Sequence, residues 1–444
     1  MSDSSNKNTI HFVGIGGIGV SSLARYFISQ GHKVSGSDSS MIPEDFKKMG
    51  VEVFTSHSEE NISKNIKTLI YSSAISDDNP EVLKAKELKI DIKSYPEALG
   101  ELTKKYYTIA VSGTHGKSTT TAMISVAMIK AGMDPTVIIG TKLREFNNTN
   151  FRKGESKYLV IEADEWKAAF LNYYPKIAII TNIEEDHLDF YKDIDDIIST
   201  FKQYTLSNVG SGTLVLNGDD ENCLKLKNGF SGELIEYFFD SEEQRKIKLS
   251  VPGKHNVYNA LAVFHALKKI GVREDLITEG LSSFKGAWRR FDEKELTLNS
   301  GGLVKVIHDY AHHPTAVDVT VKAVKEKYPD KKITAVLQPH QYKRTYHLLS
   351  LFKKVIKSCS ESVDCFLVAD IYTAKGRESE EIMSKVNSKM LCEEGGGAIY
   401  SGDVEKTGRY LSEVLQEDEV LIIMGAGDIY YNIERYISPE KVYY

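Results

Sequence analysis

Cysteine is scarce. Cys223, Cys359, Cys365 and Cys392 are the four thiols in 444 residues, and they are scattered without paired spacing. That pattern excludes a disulfide framework and a paired-cysteine metal site, and it fits buried thiols in a reducing compartment. Long apolar runs are missing as well: no segment gives eighteen uncharged apolar residues, and the polar stretch before His11 has no signal-peptide core. The expectation is a cytoplasmic protein with no membrane insertion. Neither sign of charge dominates, with 56 basic against 62 acidic residues and a net charge of -6, so nothing overall argues for a nucleic acid or an anionic membrane as partner. At 444 residues the chain exceeds what one core usually supports, and two or three domains are expected.

What the chain does have is strand-to-helix turns rich in glycine. Residues 106–130 read YYTIAVSGTHGKSTTTAMISVAMIK: a β-branched and aromatic strand, the turn Gly113-Thr114-His115-Gly116-Lys117-Ser118-Thr119, and then a helix. This is the order of a phosphate-binding loop. Glycines let backbone N–H groups converge on phosphate oxygens, and the new helix points its unpaired N–H groups at the same charge. Lys117 reaches the outer phosphates, and the Ser118 hydroxyl can ligate Mg2+. The common form has a glycine six positions before the lysine, where this chain has Val111.

A second turn lies at the start. Residues 9–31 run from a strand into Gly14, Gly16, Gly17 and Gly19 and on into a helix, with Asp38 closing the next strand about where a ribose-binding acid sits. By itself this turn fits the diphosphate of any nucleotide, NAD included. His57 with Asn61, and Ser72-Ser73, fall at the ends of later strands, where ligand contacts belong. Beyond the phosphate loop, strands at 157–161 and 177–182 deliver Glu162-Ala163-Asp164-Glu165 and Glu184-Glu185-Asp186-His187-Leu188-Asp189. Carboxylate oxygens hold Mg2+ and phosphate completes its shell, so the two clusters read together as a metal-phosphate site.

The helix expected at 257–269 follows Asn256, which shares a face with Asn259. A boundary falls near Trp288-Arg289-Arg290-Phe291. A strand at 304–307 then ends in His308-Asp309, and helices and strands alternate at 315–327, 333–337, 346–356, 365–368 and 420–424, the last entering Gly425-Ala426-Gly427. The polar stretch 338–345 reads as a turn. The expected fold class is α/β in three domains: Rossmann-like at 1–103, a central P-loop ATPase-like parallel sheet at 104–291, and Rossmann-like again at 292–444.

The blocks HFVGIGGIGVS, SGTHGKSTTT, EADE, TNIEEDHLD, PGKHNVYNALA, RRF, HDYAHHPTAV, QPHQYKRT and MGAGDI occur in this order across nearly the whole chain, which closely resembles the bacterial Mur ligases. The resemblance implies a UDP-binding N-terminal domain, a central ATPase and a C-terminal domain that receives the amino acid. Its cofactors are ATP and Mg2+. Its substrates are UDP-N-acetylmuramate and L-alanine, joined through an acyl phosphate in peptidoglycan precursor synthesis by a monomer or homodimer. Under it, Gly14, Gly16, Gly17 and Gly19 hold the UDP diphosphate, with His57, Ser72 and Ser73 near the uridine. Residues 113–119 with Asn256, Asn259, Arg290 and Asp309 bind ATP. Ser118, Glu162 and His187 position Mg2+, while Lys117, Glu162, His187 and Arg290 are catalytic. His340, Arg344 and Gly425 face the incoming substrate. Three departures stand out: Ser118 where threonine is commoner, Gln341 where arginine is common, and a short span between Asn217 and Pro252. The alternatives are a ligase adding a whole murein tripeptide and, more remotely, an NAD(P)-dependent oxidoreductase.

Overall fold

The computed structural model describes residues 8–40, 42–373 and 378–439. Three sheets built mainly of parallel strands organise them, so the α/β alternation expected from the sequence is the architecture observed. The chain falls into two compact units: Met1–Ile183 with Ile198–Lys248 and Asn259–Ser283, and Glu184–Ile197 with Leu249–Tyr258 and Phe284–Tyr444.

The first unit holds two sheets. In the N-terminal one, β1 (Thr9–Val13), β2 (Lys33–Ser37), β3 (Glu52–Phe54), β4 (Ile66–Tyr71) and β5 (Asp91–Ser94) are all parallel, in the order β3-β2-β1-β4-β5. The chain steps outward from β1 to β3 and then crosses back to β4. The carboxyl end of β1, where Gly14 begins, is therefore the point at which the strand order reverses and ligands bind in such sheets.

The second sheet comprises β6 (Tyr107–Ser112), β7 (Thr136–Leu143), β8 (Thr149–Arg152), β9 (Tyr158–Glu162), β10 (Ile177–Ile180), β11 (Thr213–Asn217) and β12 (Glu233–Tyr237), in the order β12-β11-β10-β6-β9-β7-β8. β7 and β8 pair antiparallel, and the other neighbours are parallel. β10 is Ile-Ala-Ile-Ile with all four residues buried, as a strand covered on both faces requires. β6 lies between β9 and β10, so the phosphate loop also opens at a reversal of strand order. The helix that follows the loop, Lys117–Lys130, packs on the helix Glu274–Ser283. Gly280 makes that approach possible, since a Cβ there would stand 2.5 Å from the Cα of Ala127.

The second unit contains β13 (Asp292–Thr297), β14 (Leu303–Asp309), β15 (Ile333–Gln338), β16 (Cys365–Ala369), β17 (Ile399–Gly402) and β18 (Val420–Gly425), in the order β13-β14-β18-β15-β16-β17. β13 is antiparallel to β14 and the rest are parallel. Apolar clusters cover both faces: Val317, Val321, Phe352 and Ile356 belong to one, Leu411, Ile429 and Ile433 to the other.

Three expectations are corrected. The stretch after the boundary at Trp288-Arg289-Arg290-Phe291, where no strand was expected before 304, holds β13: its sequence DEKELT buries little besides Leu296, which an edge strand tolerates. The polar turn at 338–345 is already helical from Tyr342, and the single helix at 346–356 is two, Tyr342–His347 and Leu349–Ser362, joined at Leu348. The hairpin of β7 and β8 had no sequence expectation. Its register shifts between Ile138 and Leu143, which breaks the clean alternation that would reveal it.

Candidate functional site

In the first unit the turn after β6 is fixed by close approaches that only glycine permits. Gly113 has φ +124° and a Cβ there would collide with Thr181, while Gly116 has φ +83° and a Cβ would stand 2.5 Å from the amide oxygen of Asn259. The end of β10 braces the loop. Asn182 Oδ1 accepts from the His115 N–H at 2.9 Å, and Thr181 Oγ1 and Asn182 Nδ2 donate to the His115 carbonyl at 2.6 and 3.0 Å. The helix Lys117–Lys130 starts at Gly116 with no side-chain cap, so the backbone N–H groups of Gly116 to Thr119 lie at a helix N-terminus, while those of Thr114 and His115 donate to Asn182.

The lysine is held back into the turn. Lys117 Nζ donates to the carbonyls of Gly113 and Thr114 at 2.8 and 3.2 Å, and to both oxygens of Glu165 at 3.0 and 2.8 Å. Burial pushes the Glu165 carboxyl up to about 8, against the opposing pull of Lys117. One residue on, Ser118 Oγ donates to Glu162 Oε2 at 3.1 Å, while the other oxygen of Glu162 accepts from the Gly140 N–H at 2.7 Å. The Ser118 hydroxyl and the Glu162 carboxylate are hard donors of the kind Mg2+ selects. Their separation is close to the roughly 2.9 Å between neighbouring oxygens in an octahedron of ~2.1 Å bonds. The pair fits Mg2+, with phosphate and water completing the shell.

The other glycine turn is in the same unit. Gly14 has φ +81°, and the N–H groups of Gly14 and Ile15 donate to the Ser37 carbonyl. Gly17 precedes the helix Ile18–Ser29, which also lacks a side-chain cap, and Gly19 lets that helix approach the ring of Tyr95, with a Cβ placed 3.0 Å from it. Gly14 lies against Ser72, whose N–H donates to Val13, and the Ser73 carbonyl accepts from Lys167 at 3.0 Å. Asp38, about where a ribose-binding acid sits, braces the turn: one oxygen accepts from the Gly16 N–H at 2.9 Å, the other from Ser40. His57 Nδ1 lies 2.9 Å from Ser37 Oγ and 3.0 Å from the buried carboxylate of Glu81.

His187, Asn256, Arg290, Asp309, His340, Arg344 and Gly425 belong to the second unit. His187, at φ +52°, follows Asp186, whose carboxylate accepts from Arg344 Nε at 2.9 Å. Arg344 also approaches His187 and His340, each at 3.5 Å, and His340 stacks on Tyr372. Burial alone would raise the Asp186 carboxyl, but His187, Arg344 and further histidines hold it well below the usual range. His187 and Arg344 thus share one carboxylate, Asp186, and His340 lies beside Arg344.

Asp309 accepts from the backbone N–H groups of Phe291 and Ala311, both at 2.8 Å, and burial pushes its carboxyl up. It fastens the segment that carries Arg290, whose guanidinium lies 4.8 Å from the Tyr310 ring centre. Arg289 is buried beside it and donates to the Gly425 carbonyl at 2.6 Å. Asn256 donates to the Pro252 carbonyl at 2.6 Å and closes the turn into its helix. Gln341 takes φ +67° ahead of the helix that carries Arg344, a backbone conformation that is rare for a non-glycine residue.

A loop of phosphate-binding form beside a serine–carboxylate pair, with a second glycine turn at the head of another parallel sheet, has the architecture of a nucleotide-using enzyme. Three family descriptions match in chain order: "Mur ligase family, catalytic domain" at residues 9–107, "Mur ligase middle domain" at 111–245 and "Mur ligase, glutamate ligase domain" at 289–427. The chain belongs to the Mur ligase family. Among its relatives, UDP-N-acetylmuramate–L-alanine ligase of Acetivibrio thermocellus is 38% identical across 98% of this chain and 96% of its own. The enzyme of the same name from Clostridium botulinum is 39% identical, covering 98% of both. The crystal structure of UDP-N-acetylmuramate-alanine ligase MurC from Thermotoga maritima superposes with TM-score 0.78 at 28% identity, over 96% of this chain and 98% of that one. A murein peptide ligase from Psychrobacter arcticus shares the fold, with TM-score 0.73 at 22% identity over 98% of this chain and all of that one.

Proposed function

We propose that the chain joins L-alanine to the lactyl carboxylate of UDP-N-acetylmuramate at the expense of ATP, in the cytoplasm, as a step of peptidoglycan precursor synthesis. The observation that carries this reading is the loop Gly113–Thr119 with its Lys117 and its Ser118–Glu162 pair, set in a chain similar along its whole length to enzymes of that name. Residues 1–103 are assigned to the UDP-substrate, 104–291 to ATP, and 292–444 to ATP and the amino acid.

A carboxylate is a poor electrophile, so it is activated first. A lactyl carboxylate oxygen attacks the γ-phosphorus, and the bond to the β-phosphate oxygen breaks with its electron pair leaving on ADP. The alanine amine then attacks the acyl carbon and the bond to phosphate breaks. Inorganic phosphate leaves, and the amine's proton passes to solvent. Lys117, released from Glu165, neutralises charge on the transferring phosphoryl oxygens. Bound Mg2+ would supply charge neutralisation and alignment of the β- and γ-phosphates, held by Ser118 and Glu162 with His187 as a further ligand. Residues 113–119 form the loop around the phosphates, with the N–H groups of Gly116 to Thr119 at the helix N-terminus holding them in line, Asn256, Asn259, Arg290 and Asp309 attend the rest of ATP, and His340, Arg344 and Gly425 attend the amino acid.

Phosphate release from ATP in the presence of Mg2+, UDP-N-acetylmuramate and a panel of L-alanine, glycine, L-serine and a murein tripeptide tests the reading. Release should depend on L-alanine, and Lys117→Ala should abolish it. A response to tripeptide in place of alanine would turn the reading to the recycling ligase, and no amino-acid-dependent release would sink it.

A further inference from the structure

Glu81 is a carboxylate with no exposed surface, placed on the second residue of the helix Pro80–Glu87, and none of the roles described above uses it. Four side chains converge on it. Ser37 Oγ donates to Oε2 at 2.5 Å, His57 Nδ1 lies 3.0 Å from the same oxygen, Asn61 Nδ2 donates to Oε1 at 2.7 Å, and His11 Nε2 lies 3.4 Å from Oε1. Burial pushes the carboxyl up, and the hydrogen bonds from His11, Ser37 and Asn61 more than offset it, so the group is ionised at neutral pH.

An ionised Glu81 only accepts. The single hydroxyl proton of Ser37 is committed to it, so toward His57 the Ser37 oxygen also only accepts. Both neighbours of His57 Nδ1 are therefore acceptors, and Nδ1 must carry a proton. In the neutral ring Nε2 then bears the lone pair. The side chain of His57 is 19% exposed while that of Glu81 is wholly buried, so the edge that carries Nδ1 faces inward and the opposite edge faces solvent. His57 lies three residues past β3, and its inward Nδ1 is tied to Ser37, the last residue of β2, beside the glycine turn. In a sheet of this order the nucleoside end of a diphosphate ligand extends from the turn toward these strand ends.

We propose that Glu81 is a positioning residue that sets pyrimidine specificity: by holding His57 through Nδ1–H it leaves Nε2 as an acceptor for the imide N–H of uracil, a donor that cytosine lacks. This rests on the UDP-sugar reading of the first unit. A site built around an acceptor rejects the analogue that presents a second acceptor, because two lone pairs are then forced together without a proton.

The test uses the full chain, with UDP and CDP as probes in calorimetric titrations and 15N-labelled histidine for NMR. The wild type should favour UDP by about tenfold or more, and the His57 signal, identified by its loss in His57→Phe, should show a protonated Nδ1 and a bare Nε2. Glu81→Gln should bring the UDP to CDP ratio toward one. If that variant does not fold, His57→Phe, at a partly exposed position, should do the same. A bare Nδ1 in the wild type, or a ratio that survives in the folded variants, overturns the proposal. Binding of neither UDP nor CDP, with ADP binding intact, overturns the UDP-sugar reading along with it, whereas UDP binding with no preference over CDP overturns this inference alone.

Discussion

Glu162 and Glu165 stand three residues apart in one motif and do different work. Glu162 faces the Ser118 hydroxyl and the Gly140 N–H, whereas Glu165 is buried against the ammonium of Lys117. When phosphate takes Lys117, Glu165 loses that favourable neighbour and gains a negative one, so its carboxyl, already at about 8, rises further. The sign follows: bound protein holds more protons than free protein around pH 8, so ADP binding takes up a proton and weakens as pH rises through that range. Calorimetry of ADP binding at pH 8 in buffers of different ionisation enthalpy should report this uptake, and Glu165→Gln should lose it. The same logic marks Gly140, which no motif flags. A Cβ there would lie 2.9 Å from a Glu162 oxygen. Gly140→Ala should push the carboxylate off Ser118 and raise the Mg2+ concentration for half-maximal activity several-fold, at little change in melting temperature.

At the scale of elements, the loop depends on what packs beneath it. The helix Lys117–Lys130 buries most of its surface, including Thr120, Thr121 and Ser125, and its contact with Glu274–Ser283 runs through Gly280. Gly280→Ala forces a methyl against the backbone of Ala127. Overpacking of this kind costs about 1–3 kcal/mol, which thermal unfolding of the variant should show as a lowered midpoint. The helix Lys254–Lys269 was legible from its apolar spacing, β6 from its β-branched and aromatic residues, and β10 and β18 from their apolar runs. β13 was not, because an edge strand with one buried side chain carries no periodic signal. The break at Leu348 was not legible either, since Leu348 is apolar and helix-compatible, and its non-helical backbone follows from packing.

For the whole molecule, nucleotide binding should register as stability. A ligand held at a hundred times its dissociation constant stabilises the native state by about 2.7 kcal/mol. ADP with Mg2+ should therefore raise the unfolding midpoint of the wild type, and Lys117→Ala should lose that rise, each measured against its own ligand-free midpoint. On the proposed function the two glycine turns serve two different phosphate ligands. Each opens at a reversal of strand order in its own sheet, so neither competes for the other's helix N-terminus.

The sequence by itself determined the family, the three-sheet α/β plan and the identity of the phosphate loop, because these rest on local order: strand, glycine turn, lysine, hydroxyl, helix. Tertiary structure alone decided which side chains share a task. It made Asp38 a brace for Gly16, placed Asn259 over Gly116, put Asp186 among His187 and Arg344, and buried Glu81 behind His57. Apart from Asp186 and His187, which are neighbours, these partners lie 22 to 158 positions apart in the chain, where no spacing rule reaches. Burial then sets their charge: Glu81 is held ionised by its donors, and Glu165 is pushed toward neutrality beside its lysine.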